Sequence, residues 1–368
     1  MKKIITAGHI CIDITPVFPA GRDYGTIAEL LVPGKLINME AADVHTGGSV
    51  ANVGLALKKL GCDVRLMGKV GNDAFAAMIE GILAKHGVGG LLVDEHSSTS
   101  YSVVLAVPGI DRVFLHNPGA NDSFSNADIP DEALDGAALF HFGYPPIMRK
   151  MFENDGEELE AIFRRVKGKG IATSLDLAAV DPDSAAGRAD WEKILSRVLP
   201  HVDFFVPSFE ELCFMLDRPR YDMLCSRGGD MTEGLDIDEH VKPLADRLMA
   251  MGGKVVLIKC GTSGIYYRTA GEEQLSEVGT NLGLDCGQWA DKEGHEKCFV
   301  PEIVRSATGA GDTSIAAFLT AVMQGRGPKE SVTLACAEGA CCVTAYDALG
   351  GLKGLDELEG LIGTWERK

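Results

Sequence analysis

The sequence lacks several features that would each have suggested a different class of protein. Its ten cysteines include no Cys-x-x-Cys pair and no metal-ligand spacing, so we expect reduced, buried thiols rather than disulfides or zinc. No apolar run is long enough to cross a membrane. Because the net charge is -18, nucleic acid or an anionic membrane is not expected as the main partner. An anionic ligand would need local devices such as helix ends, a metal ion or a few basic side chains.

The N-terminus briefly imitates a secretory signal, with Met1-Lys2-Lys3 ahead of Ile4-Ile5. His9 and Asp13 interrupt the apolar region and no small-residue cleavage site follows, which predicts the first strand of a cytoplasmic protein. The 368 residues contain no internal repeat, low-complexity tract or linker. We therefore expect a single domain over residues 1–368.

Short apolar runs alternate with helical patterns through most of the chain. This alternation predicts an α/β fold whose parallel sheet is covered by helices on both faces, with ligands at the C-terminal strand ends. The predicted strands are 4–7, 64–67, 138–142, 171–175, 204–206 and 255–258. The predicted helices lie near 49–60, 73–86, 151–167, 188–199, 240–251, 310–324 and 330–346.

Two segments, approximately 14–46 and 97–121, break this rhythm. They contain strand-like patches and turn residues such as Pro108-Gly109, and they do not alternate with helices. A small β-element that projects from the main sheet would explain both segments. Such an element would be placed to cover a site.

The loop Ser306–Thr313 opens the apolar helical pattern 310–324. Small residues at a helix start present backbone N–H groups and the positive end of the helix dipole, which favours phosphate binding. Asp312 is predicted just inside this helix, where its carboxylate would lie beside a bound phosphoryl group and repel it. An acid in this unfavourable position suggests a general base that takes a proton from an attacking hydroxyl. An ordinary Gly-rich turn with an Asp N-cap is the competing interpretation.

A second small-residue loop, Thr46-Gly47-Gly48-Ser49, also leads into a helix. Ser49 is predicted to cap that helix, and Asn52, one turn in, suits a sugar hydroxyl because it offers both a donor and an acceptor. A Gly-Gly turn with an exposed Asn is the alternative. Asp13 is expected just past the first strand, at the edge where ligands of such sheets bind.

Three further positions lie beyond predicted strands. Asp73 is predicted to be a structural N-cap. The acids Glu210 and Glu211 could orient a metal-bound water or simply stabilise a helix start. Lys259 could meet a phosphate chain or be an exposed lysine at a strand end.

The Gly47-Gly48-x-x-x-Asn52 and Thr308-Gly309-Ala310-Gly311-Asp312 motifs occur in order and far apart. With Gly68–Asp73 and Gly261-x-x-Gly264 between them, they make the whole chain resemble the ribokinase-like (PfkB) carbohydrate kinase family. The resemblance implies a three-layer α/β/α sandwich with a mostly parallel central sheet and a small β-lid.

The resemblance also implies roles for individual residues. Asp312 would be the catalytic base, and Gly309, Ala310 and Gly311 would form the anion hole for the transferring phosphoryl group. The remaining sets would be Asp13, Gly48 and Asn52 for the sugar, Lys259, Gly261 and Thr308 for the nucleotide, and Glu211 for magnesium through water. ATP and Mg²⁺ are thus expected, and the lid is expected to form a homodimer interface.

Two departures from the family pattern leave points open. Ser306-Ala307 stands where the family often has Asp-Thr of a monovalent-cation site, so potassium dependence is undecided. Ser208 replaces the Asn of the family's Asn-x-x-Glu motif, so the positions of metal and phosphate could differ.

We favour an unphosphorylated sugar or sugar acid as substrate. A sugar phosphate would call for basic residues, and the candidates are Arg22, Lys35, Arg112 and Arg149. A nucleoside would call for an aromatic platform, and the candidates are Tyr24, Tyr101 and Phe114. A nucleoside kinase and a non-catalytic sugar- or nucleotide-binding protein are the alternatives.

Overall fold

The computed structural model of the chain describes residues 2–21, 24–108 and 112–368. Its strands are β1 (Lys3–Gly8), β2 (Cys11–Thr15), β3 (Asp43–Gly47), β4 (Asp63–Met67), β5 (Lys69–Gly71), β6 (Leu92–Asp94), β7 (Tyr101–Leu105), β8 (Val113–Asn117), β9 (Ala137–Gly143), β10 (Ala172–Leu175), β11 (Phe204–Phe205), β12 (Val255–Lys259), β13 (Ile265–Thr269) and β14 (Glu293–Glu296).

The α-helices in these ranges vary from one turn to four turns. They are α1 (Ile27–Leu30), α2 (Ser49–Lys59), α3 (Ala74–Lys85), α4 (Asp131–Leu134), α5 (Arg149–Phe152), α6 (Glu157–Gly168), α7 (Trp191–Val198), α8 (Phe209–Leu216), α9 (Arg218–Arg227), α10 (Lys242–Ala250), α11 (Glu272–Leu275), α12 (Cys286–Trp289), α13 (Ala310–Met323), α14 (Pro328–Cys342) and α15 (Leu355–Ile362). Across the described residues, no helix is both long enough and apolar enough to cross a membrane.

The main sheet has eight strands within the described ranges, in the order β14-β13-β12-β11-β10-β9-β1-β4. The six neighbouring strands β12, β11, β10, β9, β1 and β4 are all parallel to one another, and β13 and β14 add an antiparallel edge beside β12. The predicted mostly parallel sheet is confirmed. Its parallel strands end at one common edge, and the candidate site lies there.

Helices cover both faces of the sheet. Successive residues of a strand point to opposite faces, so neighbouring residues pack against different helices. Ile4 packs with apolar residues of α2, α13 and α14, whereas Ile5 packs with those of α6, α7, α8 and α10. Strands buried on both faces explain the continuous apolar runs in the sequence. The predicted α/β/α layers are therefore confirmed.

Strands from both irregular segments pair in a second, four-stranded sheet of the described residues, ordered β3-β2-β7-β8. We call this sheet the lid. Asp13 was expected to follow the first strand, but it lies inside β2 of the lid, because β1 ends at Gly8 and the chain enters a new strand at Cys11. Gly109 of the predicted turn lies outside the described residues.

Most of the predicted helices are present near their predicted bounds, but the one expected from 188 begins at Trp191, and two others differ more. The expected helix 151–167 is divided into α5 and α6, because Asn154 and Asp155 adopt left-handed backbone angles with φ of 52° and 54°. The helix expected to reach residue 346 ends at Cys342. There the chain folds back, and Gly351 packs so closely that a Cβ on it would lie 2.1 Å from the carbonyl oxygen of Cys341.

Candidate active site

The start of α13 lies at the C-terminal edge of the main sheet. Its N-cap is Gly309, whose φ of 78° suits glycine, and a Cβ there would lie 2.3 Å from the Cβ of Ala348. Ser306 holds the preceding loop, since its hydroxyl accepts from the Thr308 N–H at 3.1 Å. Asp312 is the third residue of the helix and does not cap it, so the interpretation of Asp312 as an N-cap is wrong.

The Asp312 carboxylate is almost fully buried and is held by two side chains from elsewhere in the fold. Asn52, on α2, donates from Nδ2 to Asp312 Oδ2 at 2.9 Å. The Tyr144 hydroxyl, just after β9, donates to Oδ1 and Oδ2 at 2.9 and 2.8 Å. The two loops recognised in the sequence therefore meet at Asp312. Tyr144 was not predicted, and the signal that could have found it is its position between a strand end and two prolines.

Burial raises the pKa of Asp312 above its ordinary value. Hydrogen bonds from Asn52 and Tyr144 and the charge of Lys259 oppose this rise, and the charge of Glu211 adds to it. A carboxylate with a raised pKa is a stronger proton acceptor than an exposed aspartate. Asp312 thus has the character that a general base needs.

The side chain of Lys259 reaches the start of α13. Its ammonium lies 2.6 Å from Asp176 Oδ1 and donates to the Val206 carbonyl at 2.7 Å. A Cβ on Gly311 would lie 3.6 Å from Lys259 Cε. The alternative of an exposed lysine at a strand end is therefore wrong. Asp176, which follows β10, was missed because only its ion pair distinguishes it from a turn residue.

The charges around Lys259 are unbalanced. Burial lowers the pKa of Lys259, but Asp176, Glu211 and Asp312 together raise it above its ordinary value, so the ammonium stays charged. Burial raises the pKa of Asp176 to about 8, and the neighbouring carboxylates add to the effect. Three carboxyl groups thus influence one lysine, and a bound cation would stabilise the charged forms of Asp176 and Asp312, whose pKa values are raised.

Glu211 makes structural hydrogen bonds in addition to its electrostatic effect on Lys259. Its Oε2 accepts from the Ser208 N–H at 2.7 Å, and the Ser208 hydroxyl accepts from the Glu211 N–H at 3.2 Å. This capping box stabilises the start of α8. No three His, Cys, Asp or Glu side chains of the described residues form a group that could hold a metal alone. Magnesium usually binds through one or two carboxylates, water and phosphate, so these oxygen donors fit a nucleotide-bound ion.

The residues predicted for the sugar lie where β2 and β3 of the lid meet the start of α2. Gly48 is the N-cap of α2 with φ of 84°, and a Cβ on it would lie 2.6 Å from the His9 carbonyl oxygen. A Cβ on Gly47 would lie 2.2 Å from Asp13 Oδ2. Ser49 does not cap α2 as predicted, because its hydroxyl bonds to His141 Nε2 at 3.2 Å.

The candidates Gly261 and Thr308, predicted for the nucleotide, lie in the turn after β12 and in the loop before α13. Gly261 has φ of 50°, and a Cβ there would lie 2.3 Å from Thr232 Oγ1. The Cys298 thiol donates to the Gly261 carbonyl at 3.2 Å. Thr308 accepts a hydrogen bond from Arg112, which precedes β8 of the lid. The lid therefore contacts the loop before α13.

The three basic candidates for a sugar phosphate that the structure describes contact different parts of the fold. Arg149 pairs at 2.9 Å with Glu153, which directly follows its helix α5, and Lys35 donates to the Glu29 carbonyl at 3.1 Å. Arg22 lies outside the described residues. Within the described ranges, Arg112 is the one of the four for which a contact with the α13 loop is seen.

Two of the three aromatic candidates for a nucleoside pack against other rings. Tyr101 packs against Phe75 of α3 with ring centroids 5.7 Å apart. Tyr24 packs against Phe18 at 5.8 Å. Phe114 is 52% exposed on β8.

The fold and this edge define an α/β protein with a buried carboxylate at a Gly-capped helix start, covered by a β-lid. Residues 1–353 match the model of the pfkB family of carbohydrate kinases, and the chain belongs to that family. The sequence is 32% identical to Fructokinase-2 of Oryza sativa subsp. japonica over 176 residues, which are 46% of this chain and 50% of the relative. The chain thus spans about half the length of the curated relative it matches.

Two solved structures share the ribokinase-like fold. The Arabidopsis thaliana ribokinase complexed with ribose and ATP has a TM-score of 0.70 at 19% identity, with 98% of each chain covered. The fructokinase with bound ATP from Xylella fastidiosa has a TM-score of 0.70 at 20% identity, again with 98% of each chain covered. The predicted ribokinase-like fold is confirmed.

Proposed function

We propose that this protein transfers the γ-phosphoryl group of ATP to a hydroxyl group of an unphosphorylated sugar or sugar acid. The observation that carries the proposal is the Asp312 carboxylate, buried at the third residue of α13 and held by Asn52 and Tyr144. The relatives named as fructokinases and ribokinases support a sugar as the acceptor.

In this reaction Asp312 takes the proton of the substrate hydroxyl as its oxygen attacks the γ-phosphorus of ATP. The new oxygen–phosphorus bond forms while the bond to the β,γ-bridging oxygen breaks, and ADP leaves. Gly309, Ala310 and Gly311 supply the anion hole at the helix start. The Ala310 N–H also makes a long 3.3 Å bond to the Ala307 carbonyl.

Asp13, Gly48 and Asn52 would bind the other sugar hydroxyls. Asn52 already donates from Nδ2 to Asp312, and its amide oxygen and second N–H hydrogen suit the substrate. Gly48 is buried against His9, so its contribution would be to place α2 and Asn52 beside the sugar. Asn52 thus links sugar binding to the base.

Lys259, Gly261 and Thr308 would contact the nucleotide phosphates. The position of the Lys259 ammonium beside Gly311 supports this role. Glu211 would hold magnesium through water. Bound magnesium would neutralise charge on the phosphate oxygens.

The side chains around the site favour an unphosphorylated sugar over the alternatives. Lys35 and Arg149 are engaged elsewhere in the fold, so they supply no cluster for a substrate phosphate. The packing of Tyr101 against Phe75 disfavours it as a platform for a nucleoside base. The intact base and helix start disfavour a protein that only binds sugar or nucleotide.

The test is an ATP-dependent kinase screen of sugars, sugar acids, nucleosides and sugar phosphates, followed by the Asp312→Asn variant on the best substrate. Removal of the base should lower kcat by about 10²–10⁴-fold. Glu338→Gln is the matched control, since Glu338 is fully buried on α14 and burial raises its pKa to about 8. Unchanged turnover by Asp312→Asn would reject the base, and phosphorylation of nucleosides alone would reject the substrate class.

We also propose that the lid forms a homodimer interface. Its edge strand β8 exposes Val113, Phe114 and Leu115 at 39%, 52% and 54%. An exposed apolar edge strand is a surface that proteins usually cover. Sedimentation velocity should show a dimer for the wild type and a monomer for Phe114→Glu, with Met223→Glu on exposed α9 as the control. A monomeric wild type would contradict this assignment.

A further inference from the structure

Tyr144 has a backbone conformation that its sequence neighbourhood disfavours. Its φ and ψ are 68° and 40°, in the left-handed region that bulky L-residues rarely adopt. Pro145 follows it, and a residue before proline is normally extended. Among the described non-glycine residues with positive φ, Tyr144 is the only aromatic one. Such conformations persist where the surrounding structure enforces them, and they cluster at functional sites.

This turn brings the Tyr144 hydroxyl to Asp312, 168 positions away in the sequence. The hydroxyl lies 2.9 Å from Oδ1 and 2.8 Å from Oδ2, so one phenol proton is shared by both carboxylate oxygens. Asn52 donates to Oδ2 from the other side at 2.9 Å. A carboxylate has about four lone-pair positions. After these bonds are counted, an acceptor position on Oδ1 remains for a substrate hydroxyl.

We infer that Tyr144 is a positioning residue for the general base, holding the Asp312 carboxylate so that Oδ1 accepts the substrate proton. The inference rests on the proposed function. Tyr144 itself remains a donor, because burial and the nearby Asp312 raise its pKa well above the ordinary value. It therefore acts through Asp312 and is not a second base.

The hydrogen bond from Tyr144 also lowers the pKa of Asp312, which burial raises. The other groups that face Asp312 are Asn52 on α2, Lys259 on β12, Glu211 on α8, Asp176 after β10 and the Cys342 thiol on α14. Removal of the phenol hydroxyl leaves these groups in place. The Asp312 pKa should then rise, so the base becomes protonated at a higher pH.

The test compares Tyr144→Phe with Tyr267→Phe in the full-length protein. Tyr267 is a buried tyrosine of β13 that makes no described contact with Asp312. We expect Tyr144→Phe to lower kcat by up to about 10²-fold near pH 6. The loss should shrink at higher pH, because the acid limb of the profile moves upward, and the KM for ATP should not change.

Two results would overturn the inference. One is an unchanged kcat for Tyr144→Phe, and the other is the same fractional loss at every pH, which a purely structural role would give. A second measurement does not depend on turnover. Titration of ¹³C-labelled aspartate carboxyl groups by NMR in wild type, Asp312→Asn and Tyr144→Phe should show a higher Asp312 pKa in the last. An unchanged carboxyl pKa would contradict the inference even if the protein phosphorylates no sugar.

Discussion

The starts of α2 and α13 use the same local structure in two different ways. Each helix has a glycine N-cap with positive φ, 84° at Gly48 and 78° at Gly309. Because glycine has no side chain, neither helix start is capped by a side-chain hydrogen bond from its N-cap residue. At α2 the cap is buried against His9, whose carbonyl accepts from the Val50 N–H at 3.1 Å. This helix start is closed by the protein itself.

At α13 the cap is only half-buried, together with Thr308, Ala310 and Gly311. The loop is held from the lid side by Arg112 and internally by Ser306. This helix start therefore lies at the sheet edge where a phosphoryl group could reach it. A small-residue loop before a helix therefore does not define an anion site by itself. The difference lies in burial: the α2 start is buried by the protein itself, whereas the α13 start is left half-buried at the sheet edge.

The largest effect on stability should come from Gly48→Ala. A Cβ there would lie 2.6 Å from the His9 carbonyl oxygen, at a φ that alanine disfavours. Strain of this kind costs about 1–3 kcal/mol, and we expect a loss of that size or more in the free energy of unfolding. Denaturant unfolding measures it.

The control for Gly48→Ala is Gly81→Ala, on the exposed side of α3. A Cβ at Gly81 would meet nothing within 4 Å. Alanine there should stabilise the helix by up to about 1 kcal/mol. If the two variants unfold alike, the α2 cap is not under the constraint described.

A smaller effect, confined to activity, is expected from Gly311→Ala. A Cβ there would lie at an ordinary contact distance of 3.6 Å from Lys259 Cε, so the fold should tolerate it. The methyl group would nevertheless stand where phosphate approaches the helix start. We expect kcat/KM for ATP to fall about 10-fold with unchanged thermal unfolding, measured on one preparation. A loss of stability as large as that of Gly48→Ala would remove the distinction between the two helix starts.

The smallest effect is a shift in pH dependence that links the two regions. Because burial raises the pKa of Asp312, the acid limb of kcat/KM should lie above the range of an exposed aspartate. Activity should rise with pH through this pKa, since only the deprotonated carboxylate accepts a proton. Asn52→Ala removes a hydrogen bond that lowers this pKa, so the limb should move to higher pH. An unmoved limb in the variant would show that α2 does not tune the base on α13.

Much of the architecture could be predicted because it depends on neighbouring residues. The alternation of apolar runs and helical patterns gave the parallel strands, and the separate patches 14–46 and 97–121 gave the lid. Predictions from neighbouring residues failed where other parts of the fold or the backbone conformation favoured a different local structure. Ser49 looked like a cap, but His141 takes its hydroxyl. The helix predicted over 151–167 is interrupted by a left-handed turn at Asn154 and Asp155, which the spacing of apolar residues does not indicate.

The amino-acid sequence was sufficient to predict the fold class, the two Gly-rich helix starts and Asp312 as the candidate base. These depend on spacing along the chain, which the sequence records directly. The side chains that surround Asp312 and Lys259 could be identified only from the folded chain. Asn52 and Asp312 are 260 positions apart, Tyr144 and Asp312 are 168 apart, and Asp176 and Lys259 are 83 apart. Such contacts arise because parallel strands end at a common edge, and no local pattern specifies which of their polar side chains meet there.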